Sequence, residues 1–163
     1  MAEGAGGMTY VRMMIDILGK KEVHLSKILE YTKEQEALLK QETFSEEEFA
    51  VLVEKKEGLI KKIEEFDDGF QSVYNRMSEE LAEHKEQYAE EIRTMQSLIK
   101  DITAQTNTIQ TQEIRNRESV CAKFDGIREQ VKGVRNSQKV VKQYYQNMVN
   151  SKKASAQIFD DKK

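Results

Sequence analysis

Apolar residues recur at sevens along most of this chain, and shifts in the phase of that recurrence divide it into helices. From Thr9 to about Gln41 one line reads Val11, Leu18, Leu25, Thr32 and Leu39, with Met14, Ile15, Ile28 and Leu29 in the adjacent turns. That spacing predicts one amphipathic helix. A second helix carries Phe49, Leu52, Val53, Leu59, Ile60, Ile63 and Phe66 on one side, with Glu54, Lys55, Lys61, Lys62, Glu64 and Glu65 covering the rest. The pattern then changes phase, through Phe66, Phe70, Val73, Tyr74, Met77 and Leu81, and a new line of sevens runs from Tyr74 through Leu81, Tyr88, Met95, Ile102 and Ile109. A register slip marks a bend, a break or a stutter. Asp67-Asp68-Gly69 and Ser78 offer weak punctuation, so the second turn is expected between Asp67 and His84. A third helix follows from about His84 to Asn150. Its last part is the most regular: Val120, Ile127, Val134, Val141 and Met148 form one line, Phe124, Val131, Gln138 and Tyr145 the other, and Arg128, Arg135 and Lys142 flank them.

The first turn is written plainly in Thr43-Phe44-Ser45-Glu46-Glu47-Glu48-Phe49. Ser45 suits an N-cap that accepts from the Glu48 N–H, with the Glu48 carboxylate reaching back in a capping box. Phe44 and Phe49 stand where a hydrophobic staple fixes the entry angle, and Glu46 and Glu47 complement the positive end of the helix dipole. Helices joined by so short an elbow must lie antiparallel.

Composition agrees with the pattern. The 163 residues are 34% charged and 38% hydrophobic, with no proline and no tryptophan, as in helical bundles and coiled coils. The expected fold is all-α: an elongated antiparallel hairpin plus a long third helix, a three-helix or coiled-coil-like bundle. Residues 1–8 are expected to form a flexible tail, 9–150 a single elongated domain, and 151–163 a second flexible tail. A single cysteine, Cys121, excludes an intramolecular disulfide and reads as a semi-buried, inert thiol beside Val120. No signal peptide or membrane span is expected, which points to a cytoplasmic protein without stable membrane insertion.

Charge is unevenly divided. Residues 1–29 carry four basic and three acidic side chains, 30–92 eight and nineteen, and 93–163 fourteen and seven. An acidic middle and a basic end suit helix–helix complementarity or solvated faces. Nucleic-acid binding is not expected, because Asp125 and Glu129 interrupt the basic residues and no stacking platform accompanies them. His24 and His84 belong to no metal-binding pair, and the adjacent Glu pairs point about 100° apart on a helix, so no catalytic residue, metal or cofactor is expected and the chain does not read as an enzyme.

Several stretches resemble the FlgN-type flagellar export chaperones. They are Ile28-Leu29 through Glu34-x-Glu36-Ala37-Leu38-Leu39, the acidic elbow, and Phe49-x-x-Leu52-x-x-x-Lys56-Glu57-x-Leu59-Ile60-x-x-Ile63. Leu98-Ile99-x-x-Ile102, Asn107, Asn116, Lys139, Tyr144-Tyr145 and the tail Phe159-Asp160-x-Lys162 extend the similarity. The resemblance implies a cytosolic protein that binds C-terminal helices of hook-associated secretion substrates and delivers them to the flagellar export apparatus, as a monomer or weak homodimer. It also implies export-apparatus docking by Tyr144. A structural coiled-coil homo-oligomer, an adaptor, and the related filament-cap chaperone are the alternatives.

Length suggests where a client would sit. At about 1.5 Å per residue the first two helices are about 50 Å and the third nearly 100 Å. The stripe of Val120, Phe124, Ile127, Val131, Val134, Val141 and Tyr145 is then left without an intrachain partner, unless the first helix or a dimer mate covers it. It is the expected client-binding seam, with Arg128, Arg135 and Lys142 favouring acidic residues on the client helix.

Overall fold

A computed structural model describes residues 2–126 and 136–148, with side chains from 6 to 124 and 136 to 148. The described chain is an all-α helical bundle. Helix α1 spans Ala2–Lys40, α2 Glu46–Glu83, and α3 Ala89–Gly126. Residues 136–148 form a further helix, α4. Contacts divide the chain into two compact units to which α1, α2 and α3 all contribute.

Unit 1 comprises residues 1–30 and 58–110. Its core is the heptad pattern made solid: Val11, Met14, Leu18, Leu25 and Ile28 of α1 meet Met77 of α2, and Tyr88, Met95, Ile102 and Ile109 at the head of α3 and along it. Burying each such side chain contributes about 1.5–3 kcal/mol. Lys21 Nζ pairs with Asp67 at 2.6 Å across the antiparallel α1–α2 contact. Gln105 Nε2 donates to Ser26 Oγ at 2.8 Å where α3 runs parallel to α1.

Two boundaries differ from expectation. The helix begins at Ala2, so the glycines at 4, 6 and 7 lie inside α1 rather than in a loose tail. Gly7 has a steric reason to be glycine, since a Cβ there would collide with the Tyr88 hydroxyl and lie within 2.8 Å of the Glu80 carboxylate. The second turn is at residues 84–88, starting at the last residue of the interval expected from Asp67 to His84, and α2 continues through Asp67-Asp68-Gly69. That turn contains neither glycine nor proline. It is closed by backbone bonds from Gln87 N to His84 O (3.0 Å) and from His84 N to Glu80 O (2.9 Å), and anchored by fully buried Tyr88.

The elbow falls where its residues demand. α1 ends at Lys40 and α2 starts at Glu46, with the Glu48 N–H donating to Ser45 Oγ at 3.2 Å and the Phe44 and Phe49 rings edge-to-face at 5.7 Å. Ser45→Ala should lower stability by about 1 kcal/mol in urea unfolding, through loss of the cap alone.

The third helix departs most from expectation. It is not one rod to Asn150: α3 is given to Gly126, and α4 returns antiparallel to it in unit 2. Tyr144 Oη reaches Glu113, while Gln138 Nε2 reaches Glu46 at the opposite end. Of the stripe that length alone leaves without an intrachain partner, Val120, Phe124, Val141 and Tyr145 are therefore packed within the chain.

Candidate functional site

Unit 2 comprises residues 31–57 and 111–163, and its interior mixes apolar side chains with buried polar and charged ones, where that of unit 1 is apolar. The α1 heptad line passes from Val11, Leu18 and Leu25 to Thr32, with Gln35 one half-heptad on; both are fully buried. On α2, Phe49 and Val53 are buried and the next core position is Lys56, also fully buried. On α3, Glu113 and Asn116 replace the isoleucines of unit 1 and are buried too. On α4, Ser137, Val141, Tyr144 and Tyr145 turn inward at helical spacing.

These side chains satisfy one another. Lys56 Nζ donates to Glu113 Oε1 at 2.5 Å and to Thr32 Oγ1 at 3.4 Å, and stands 4.6 Å from the centre of the Tyr144 ring. Tyr144 Oη donates to the other carboxylate oxygen, Glu113 Oε2, at 2.5 Å. Asn116 Nδ2 donates to the Thr32 carbonyl at 3.0 Å, and Gln112 Nε2 links the Asn116 and Glu36 side chains at 3.0 and 2.8 Å. Glu113 thus sits between a cation from α2 and a hydroxyl from α4, so removing either leaves a buried charge short of a partner.

Burial pushes the Lys56 ammonium below its ordinary range, with Glu113 opposing the shift. Burial and the Glu113 charge hold the Tyr144 hydroxyl well above the usual phenol range, and burial raises Tyr145 as well. Glu46, buried at the start of α2 and accepting from Gln138, is raised by desolvation. The tyrosines set an alkaline limit. Their folded values exceed the unfolded one, so their contribution is complete below about pH 10 and is lost as pH rises further. Lys56 acts in the opposite sense, because rising pH relieves its buried charge. The phenols predict urea midpoints that fall as pH rises above about 10, with a shallower fall in the Tyr144→Phe, Tyr145→Phe double variant, where Tyr88 still contributes.

The two tyrosines differ in one respect. Tyr145 Oη is buried without a hydrogen-bond partner among the described residues, whereas Tyr144 Oη holds Glu113. Tyr144→Phe should cost about 1–3 kcal/mol and Tyr145→Phe close to nothing, read from urea midpoints.

Four of the residues expected to bind a client are packed inside unit 2. Val120, Phe124, Val141 and Tyr145 are buried in unit 2, covered by the fold-back of α4 rather than open to a client. Tyr144 is buried as well, its hydroxyl committed to Glu113, and presents no docking surface. Lys142 is exposed, as a flanking charge would be. Ile127, Arg128, Val131, Val134 and Arg135 lie outside the described residues, as does the tail at 151–163. Cys121 is exposed, not semi-buried. The sequence pattern places Lys56 only in a stretch of family resemblance and does not single out Glu113. The signal that finds them is position, since Lys56 is seven residues beyond Phe49 and Glu113 four beyond Ile109, both on apolar stripes.

Among the described residues no helix is long and apolar enough to cross a membrane, and no three His, Cys, Asp or Glu side chains are grouped as metal ligands. Compared with protein-family models, curated proteins and solved structures, the chain gives no significant match.

Proposed function

We propose that the chain is a cytoplasmic export chaperone of the FlgN type, which holds a C-terminal helix of a hook-associated flagellar protein and passes it to the flagellar secretion apparatus. The observation that supports this reading is a convergence. Lys56, Asn116 and Tyr144 come from three separate stretches that carry the resemblance, and they join through Glu113 and Thr32 into one buried network. A bundle of this kind acts by covering the apolar face of an amphipathic helix until delivery, and needs no reaction chemistry.

Titration of the full chain with isolated C-terminal helical segments of hook-associated proteins, with a filament-cap segment for comparison, tests the proposal. The expected result is a one-to-one complex at least about tenfold tighter with a hook-associated segment, formed by a monomer or weakly dimeric protein. A tight homo-oligomer that binds neither segment would instead favour a structural coiled coil.

A further inference from the structure

On one face of unit 2 the end of α1 and the first turns of α2 form a shallow groove. Leu38, Val51 and Leu52 make its floor, and Glu34, Glu47 and Glu48 its rim. Val51 is 49% exposed, while its neighbour Leu52 is buried. The three rim carboxylates are exposed, and among the described residues none of them enters an ion pair. Among the described residues no lysine or arginine lines the groove. It is also distinct from the face where Lys139, Val140 and Gln143 of α4 lie beside Glu54 and Glu57, so α4 does not fill it.

We propose that this groove docks an amphipathic helix of a partner protein, one that presents an apolar ridge flanked by lysine and arginine. A channel between two antiparallel helices accepts a third whose ridge fits between them. The floor supplies apolar contact for that ridge. Carboxylates on both walls repel one another while the groove is open and are neutralised by basic residues on either side of an incoming ridge. The same rim disfavours phosphate, which excludes nucleic acid and anionic membrane as occupants. The inference does not require the partner to be a secretion substrate.

The test uses a designed 18-residue helical peptide with leucines at every third or fourth position and lysines on both flanks, and a twin with glutamates in place of the lysines. Anisotropy titrations with the full chain should show the basic peptide binding at least about threefold tighter than its twin, since three exposed pairs each contribute a factor of about 1.5 to 5. That advantage should shrink as salt is raised from about 0.05 to 0.5 M, where the screening length falls well below 10 Å. Glu34→Gln, Glu47→Gln and Glu48→Gln together should abolish the preference, and Val51→Ser should weaken both peptides. All four positions are exposed, so a cooperative melt, lowered only slightly by the loss of first-turn carboxylates on α2, checks that these variants remain folded. The proposal is overturned if the peptides bind equally or not at all, or if the rim variant keeps the preference. It is likewise overturned if sedimentation shows a homodimer that Val51→Ser dissociates, which would make a second copy the occupant. Failure of the hook-associated segments to bind, with the designed peptide still bound, would sink the export reading alone.

Discussion

Glu113→Ala is expected to lower the unfolding free energy by about 3–5 kcal/mol, among the largest single effects in this chain. Lys56 and Glu113 are both fully buried, so deleting the carboxylate leaves an ammonium in the interior, and the Tyr144 hydroxyl loses its acceptor as well. Lys56 then either loses its proton or draws in water, and both costs fall on the folded state. The converse experiment separates stability from specificity. Lys56→Met, Glu113→Leu and Tyr144→Phe together replace the whole network with apolar groups of similar volume and should recover most of the loss. Urea unfolding of the single and triple variants measures both. If Glu113→Ala costs less than about 1 kcal/mol, the pair is solvated and the network does not hold unit 2 together.

Phe124→Asp should be comparably damaging, by about 3–5 kcal/mol, because it removes a buried aromatic ring and puts a carboxylate in its place. Loss of helicity and of a cooperative melt is the expected readout. Lys142→Glu is the control: exposed on α4, it should move stability by no more than about 0.5 kcal/mol. A Phe124→Asp protein that melts like the parent would return this residue to the surface and reopen the stripe from Val120 to Tyr145 as a docking seam.

Much of unit 1 can be read from spacing alone, because Val11, Leu18 and Leu25 on α1 and Tyr88, Met95, Ile102 and Ile109 on α3 follow the seven-residue rule and are buried. The elbow is equally legible, since Ser45, Phe44 and Phe49 encode a local interaction that requires nothing distant. The turn at residues 84–88 is announced by a register slip but not located by it, for the opposite reason. It is held by Tyr88 packing into the core and by Glu80, a long-range effect, and it carries no turn residue. The fold-back of α4 was missed because a heptad pattern reports which face of a helix is apolar, not what covers that face. Val120, Phe124, Val141 and Tyr145 do line an apolar stripe, but it closes on its own chain. Lys56 and Glu113 escaped because composition assigns charged residues to the surface, and only their pairing makes burial tolerable.

Amide hydrogen exchange along α4 tests most directly whether residues 136–148 close the polar core of unit 2. If they do, the amides of Val141, Tyr144 and Tyr145 exchange only through cooperative opening, with protection similar to that around Glu113 and Asn116 and lowered together with it by Tyr144→Phe. Exchange of these three amides at the rate of an unstructured peptide, with α3 still protected, would contradict the account.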